Sequence, residues 1–164
     1  MATLEPGAQA PDFALPGIDG RDHSLADALK AGPTVLAFGK ADCRTCVLAF
    51  PYLERLSQAY PGGRWTLLGI LQDPAEDARA FAQAHGLTFP IATEVEPFPV
   101  SQAYDPEATP TIFYVEPDGR IARVSPAFRK SDLNELSADL ARSLGVATVE
   151  VAPADDGKPA FRPG

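Results

Sequence analysis

The chain's only two cysteines stand close together, in the run Cys43-Arg44-Thr45-Cys46. A thiol pair at that spacing can exchange a disulfide, hold a metal or sit inert. Where such a pair marks the turn from a strand into a helix, the first sulfur occupies the helix N-terminus. Unpaired amides and the macrodipole favour a thiolate there. The second sulfur lies one helical turn further in, within reach of a bridge to the first. Cys43 is then the nucleophile that attacks a partner's disulfide, and Cys46 the thiol that resolves the mixed disulfide. A structural staple is a poor account of the pair, because a bridge across so short a loop removes little chain entropy. Structural zinc takes four ligands, and the other soft donors, His23 and His85, are isolated in the sequence. No metal and no cofactor is expected.

This chemistry needs a strand ending just before Cys43 and a helix starting just after it, and the sequence supplies both. Thr34 to Phe38 is a continuous apolar run, the pattern of a strand buried on both faces. Beyond the motif Val47, Phe50, Leu53, Leu56 and Tyr60 recur at helical spacing until Pro61-Gly62-Gly63, with Pro51 expected to kink the helix. Trp65 to Leu71 reads as a second buried strand. Asp73-Pro74 reads as the start of a helix capped by Asp73 and ended by Gly86. Phe89 to Ile91 is a brief extended piece, and a short helix is expected over Val100 to Tyr104. Thr111 to Val115 is a third strand. The turn Pro117-Asp118-Gly119-Arg120 returns it through Ile121 to Ser125. Ser131 is the expected cap of a last helix bearing Leu133, Leu136, Leu140 and Leu144, closed by Gly145.

Residues 1–33 form an irregular lead-in, with an extended piece at Phe13 to Leu15 and a short helix capped by Ser24. Right-handed crossovers make the first strands parallel, and the hairpin adds antiparallel ones. The expected fold class is α/β, a central mixed β-sheet flanked by helices. It forms one domain over residues 1–146, followed by a tail, 147–164, with at most a short extended stretch at Thr148 to Val151.

Of the 164 residues 45% are hydrophobic and 22% charged, an ordinary balance for a globular domain, and the net charge is −8. That sign disfavours nucleic acid and anionic membrane as partners. No apolar run approaches the roughly 20 residues needed to span a bilayer. Met1 to Ala10 lacks the basic and apolar regions of a signal peptide, so a cytoplasmic location is expected.

Residues 11–145 resemble the thioredoxin-like superfamily, in particular the TlpA/ResA-like and AhpC/TSA-type redoxins. The resemblance is carried by Pro11-Asp12-Phe13-Ala14-Leu15-Pro16 with Asp19-Gly20, by Cys43 to Cys46 and by Pro51. His85 to Pro90, Thr109-Pro110-Thr111 and Pro117 to Arg120 follow in order. It implies a thioredoxin-like fold and a thiol–disulfide oxidoreductase. It further implies that Pro110 is a cis-proline facing the sulfurs, and that the Thr109 backbone pairs with an extended substrate segment. Protein thiols and disulfides would be the substrates. A protein or low-molecular-weight thiol would supply electrons. Separately from the resemblance, a monomer is expected.

The sequence also departs from these relatives. Asp42 stands where a Trp often precedes the first cysteine. Ala37 replaces the buried acid of thioredoxins, and Ala49 the Glu that many TlpA-like proteins place after the second cysteine. Lys40, Asp42 and Arg44 are the charges left to tune the pair, Asp42 opposing a thiolate at Cys43 and Arg44 favouring it. A thiol peroxidase is the alternative reading. Peroxiredoxins carry Pro-x-x-x-Thr-x-x-Cys, and the corresponding positions here are Leu36 and Lys40. A copper-binding Sco-like protein and a redox-inert adaptor rank lower. His23 and His85 receive no catalytic role, and Phe38, Trp65, Tyr104 and Phe113 are assigned to the core.

Overall fold

A computed structural model describes residues 2–164; residue 1, the first of the expected domain, lies outside the described residues. The lead-in contains the hairpin β1 (Ala14–Pro16) and β2 (Asp22–Ser24) and helix α1 (Leu25–Ala31). Next come β3 (Thr34–Gly39), α2 (Arg44–Ala59), β4 (Thr66–Leu71), α3 (Ala75–Ala84), β5 (Ile91–Thr93) and α4 (Pro99–Tyr104). The chain ends with β6 (Thr111–Val115), β7 (Ile121–Pro126), β8 (Phe128–Arg129), α5 (Lys130–Leu144) and β9 (Phe161–Arg162).

The central sheet has five strands in the order β5-β4-β3-β6-β7. Strand β3 runs parallel to β4 and antiparallel to β6, and β7 returns antiparallel to β6 at the edge. This is the expected mixed sheet. All six residues of β3 are buried, as an apolar run in mid-sheet requires. Its side chains alternate between two cores. Val35 and Ala37 face the layer of α2, α3 and α5, with Phe50, Leu53, Leu56, Phe81, Leu136 and Leu140. Leu36 and Phe38 face the layer of the lead-in and α4, with Phe13, Leu15, Leu25, Tyr104 and Phe113. Tyr104 is fully buried, and its hydroxyl donates to the Pro11 carbonyl at 2.6 Å, so it is core as expected.

The lead-in has a structural role that composition does not reveal. The amides of Gly7 and Ala10 donate to Ile121 and Gly119, and Gly17 bridges to Ala92 at the opposite edge. Residues 7–18 thereby cover both sheet edges, whose open backbone groups would otherwise pair with another chain.

Two expected caps are corrected. Helix α3 has no side-chain cap: Asp73 points instead at the loop before Cys43, where its carboxylate accepts from the Ala41 amide at 2.9 Å. Helix α5 starts at Lys130 without a side-chain cap, so Ser131 lies inside it rather than before it. Ser24 does cap α1, accepting from the Asp27 amide at 3.1 Å.

The segment after Leu144 holds little regular structure, yet it packs along the domain. No strand forms over Thr148 to Val151; the extended pair is Phe161–Arg162, hydrogen-bonded to β8. Asn134 holds the chain in place of a strand. Its Oδ1 accepts from the amides of Val151 and Ala152, and its Nδ2 donates to the Ala152 carbonyl. Val151 and Ala152 are buried as a result. Further on, the buried Lys130 ammonium donates to Asp156 at 2.6 Å and to the carbonyls of Pro153 and Lys158. The periodicity that marks a helix or strand is absent because side-chain groups on α5, not a ladder, satisfy this backbone.

Candidate active site

Cys43 is the N-cap of α2, and its sulfur accepts the Cys46 amide at 3.2 Å. This is the arrangement expected where β3 leads into α2, with the short turn 40–42 between the strand and Cys43. An amide hydrogen bond at a helix N-terminus favours a thiolate on that sulfur. Opposite lies the loop before β6, in which the Thr109–Pro110 peptide bond is cis. The Cys43 thiol donates to the Thr109 carbonyl at 3.3 Å, and the Thr109 hydroxyl lies 3.5 Å from the same sulfur. Thr109 can thus accept from a thiol and donate to a thiolate. The loop is fixed on both sides. The buried Thr111 hydroxyl donates to the Ala108 carbonyl at 2.5 Å, and the Ala127 amide donates to the Pro110 carbonyl at 2.8 Å. Ala127 adopts a left-handed φ of 64° to do so.

The two sulfurs sit in different surroundings. Cys43 is partly exposed, whereas Cys46 is fully buried in the cluster that holds Ala37, Ala49 and Phe50. Burial pushes the Cys46 thiol well above the usual thiol range, and its contact with Cys43 adds to the effect. Gly39 permits this packing. A methyl group there would stand 3.0 Å from the Cys46 sulfur and 3.1 Å from the Phe50 ring. Ala37 and Ala49 are both buried, so the positions that carry acids in related proteins offer Cys46 no proton acceptor.

The structure brings Cys43, Cys46, Thr109 and Pro110 together. It does not bring the three tuning candidates to the sulfurs. Lys40, Asp42 and Arg44 are exposed. Among the described residues no hydrogen bond or ion pair joins their side chains to Cys43 or Cys46. The fields of Asp42 and Lys40 fall instead on Asp73, whose carboxyl is raised above its ordinary range, chiefly by burial. No group of His, Cys, Asp and Glu among the described residues is arranged to hold a metal.

Three participants escaped sequence reasoning. Asp73 holds the loop entering the motif, and Gly39 clears space for Cys46. Thr45, between the cysteines, is buried and binds the C-terminal segment: its hydroxyl donates to the Pro163 carbonyl at 2.6 Å and accepts from Arg162 Nε at 3.1 Å. A glycine ending a buried strand signals close approach and could have exposed Gly39. Nothing local to the sequence joins Thr45 to residues 162–163.

A family model described as AhpC/TSA family matches residues 6–124. The thiol-disulfide oxidoreductase ResA of Geobacillus thermodenitrificans is 30% identical over 131 residues, which is 79% of this chain and 74% of that protein. The crystal structure of a candidate thiol:disulfide interchange protein DsbE from Chlorobium tepidum superimposes with a TM-score of 0.78 at 26% identity. It covers 87% of this chain and all of that one (100%). The peroxidoxin BcpB of Mycobacterium tuberculosis shares the fold with a TM-score of 0.66 at 22% identity, over 74% of this chain and 85% of that one.

Proposed function

The chain belongs to the AhpC/TSA family and is a thiol–disulfide oxidoreductase of the thioredoxin type; on that premise we propose that Cys43 is its attacking thiol, Cys46 its resolving thiol and the Thr109–Pro110 loop its rest for an extended client. The observation that carries the assignment is the asymmetry of the pair. Cys43 is partly exposed and its sulfur accepts an amide hydrogen bond, whereas Cys46 is fully buried.

The Cys43 thiolate attacks one sulfur of the client disulfide. A Cys43–client bond forms, and the other client sulfur leaves with the electron pair of the broken bond. Cys46 then gives up its proton and attacks the Cys43 sulfur. The intramolecular disulfide forms and the second client thiolate leaves, so two electrons have passed from the dithiol to the client. In the opposite direction the same steps oxidise a client dithiol, and a protein or small thiol restores the dithiol after each reductive turn. The amide of Cys46 and the hydroxyl of Thr109 both lie within hydrogen-bond distance of the Cys43 sulfur, where they can donate to a thiolate.

Insulin reduction tests the assignment. Cys43→Ser abolishes turnover, and Cys46→Ser accumulates a mixed disulfide through Cys43. Equal activity in both variants and the parent chain would remove the assignment. Peroxide reduction, the alternative shared with the family's peroxiredoxin branch, predicts a sulfenic acid at Cys43 that Cys46 resolves. Peroxide consumption no faster than that of free cysteine dismisses it.

A further inference from the structure

The last four residues run from the β8 edge to the loop that faces Cys43. Phe161–Arg162 pairs with Phe128–Arg129, and the Lys130 amide donates to the Ala160 carbonyl at 2.9 Å. The Arg129 guanidinium lies over the Phe161 ring, 4.5 Å from its centroid. The Thr45 hydroxyl accepts from Arg162 Nε and donates to the Pro163 carbonyl. Gly164 then lies against the cis-proline loop so closely that a methyl group on it would stand 2.8 Å from the Thr109 carbonyl oxygen and 2.6 Å from the Ala108 methyl.

We propose that residues 161–164 are a specificity gate, seated by Thr45 on the backbone edge that an extended protein client needs at Thr109. The proposal rests on the assignment of Thr109 as the client rest. A client that adds as a strand pairs through its own backbone with that edge, and the Pro163–Gly164 segment already lies there. The gate is held lightly. All four residues are exposed, Phe161 by 46%, so its seat is a short ladder, the Thr45 contacts and one surface cation–π pair. Segments with few buried contacts open readily. When the client-competent state is only part of the population, apparent affinity falls by that fraction. A small disulfide needs no strand pairing and can react at the partly exposed Cys43 with the gate seated. The segment therefore sets a preference between extended protein clients and small disulfides, and Arg162, Phe161 and Thr45 are its determinants.

The test uses the full chain with Phe161→Ala and, separately, Arg162→Ala. Both replace exposed side chains, and Phe161 carries no charge that would act on the sulfurs. Release of the gate raises kcat/KM for insulin about threefold to tenfold, mainly through KM, as removal of a competing closed state does. The rate of Phe161→Ala with a small aromatic disulfide stays within about twofold of the parent's, since that reaction needs no open edge. In the Cys46→Ser mixed disulfide with an insulin chain, the amide resonances of Arg162 and Gly164 shift as the segment leaves its seat. Unchanged or lower insulin rates in both variants, with an active parent, overturn the gate alone, as do unmoved resonances. A parent no faster than Cys43→Ser overturns the exchange assignment itself, and the gate with it.

Discussion

The amide of Cys46 donates to the sulfur of Cys43 at 3.2 Å, while the thiol of Cys46 itself is fully buried. A helix N-terminus favours negative charge, whereas burial opposes it on Cys46; the roles proposed for the two thiols rest on that contrast.

The first consequence is a pH dependence of the second step. Burial raises the Cys46 thiol above its ordinary value of 9.0, so it stays protonated at neutral pH and little thiolate is present to resolve the mixed disulfide. Release of client from a preformed Cys43 mixed disulfide, followed by stopped flow, should climb about tenfold per pH unit through the neutral range. A plateau by neutral pH would contradict this. The sign for stability follows: a raised thiol contributes fully below pH 9.0 and loses that contribution above it, so the reduced protein weakens at alkaline pH.

Ala49→Glu supplies the missing proton acceptor one turn beyond Cys46. Resolution at neutral pH should speed by about tenfold or more, the low end of general-base effects. The fully packed site should lose about 1–3 kcal/mol of stability to the larger side chain. Single-turnover kinetics and urea titration read the two effects separately. A slower resolving step would show that the carboxylate cannot reach Cys46.

Gly39→Ala tests the close approach behind the buried sulfur. The added methyl meets Cys46 and the Phe50 ring at 3.0 and 3.1 Å, tighter than ordinary contact. Overpacking at this site should cost about 1–3 kcal/mol, read as a lower urea midpoint at unchanged slope. Slower resolution should accompany it as Cys46 shifts. A midpoint equal to the parent's would mean that the neighbours yield freely.

Asp156 anchors the C-terminal segment. The Lys130 ammonium and the Tyr52 hydroxyl hold its carboxyl well below the usual range. A lowered carboxyl contributes stability above its ordinary value of 3.8 and loses it as pH falls below that. Asp156→Asn should therefore lower Tm at neutral pH and flatten its decline under acid. Limited proteolysis should cut the variant within residues 153–164 sooner than the parent. An unchanged acid limb would place the dependence on other carboxylates.

The redox pair and its immediate setting were legible in the sequence because they are local. A continuous buried apolar run, a cysteine pair and a 3.6-residue stripe follow one another along the chain. Pro110 opposite the sulfurs came from resemblance rather than from composition, since the order Thr109-Pro110-Thr111 is common to many turns. Local patterns misled at Asp73 and Ser131. Both have good cap residue types, but Asp73 binds the Ala41 amide across the site, and the last helix begins at Lys130, two residues before a Ser131 cap would start it, with Lys130 paired to Asp156.

The sequence by itself determined the chemistry class, the α/β order and the roles open to Cys43 and Cys46, because helix termini, strand burial and thiol spacing depend on neighbours along the chain. Only the tertiary structure decided that, among the described residues, the side chains of Lys40, Asp42 and Arg44 make no bond to the sulfurs, that Asp73 steadies the loop before Cys43, and that Gly164 lies beside Thr109. Thr45 and Pro163 are 118 positions apart. Their contact exists because α2, the cis-proline loop and the returning tail meet at one corner of the sheet, and no periodicity along the chain records a meeting of that kind.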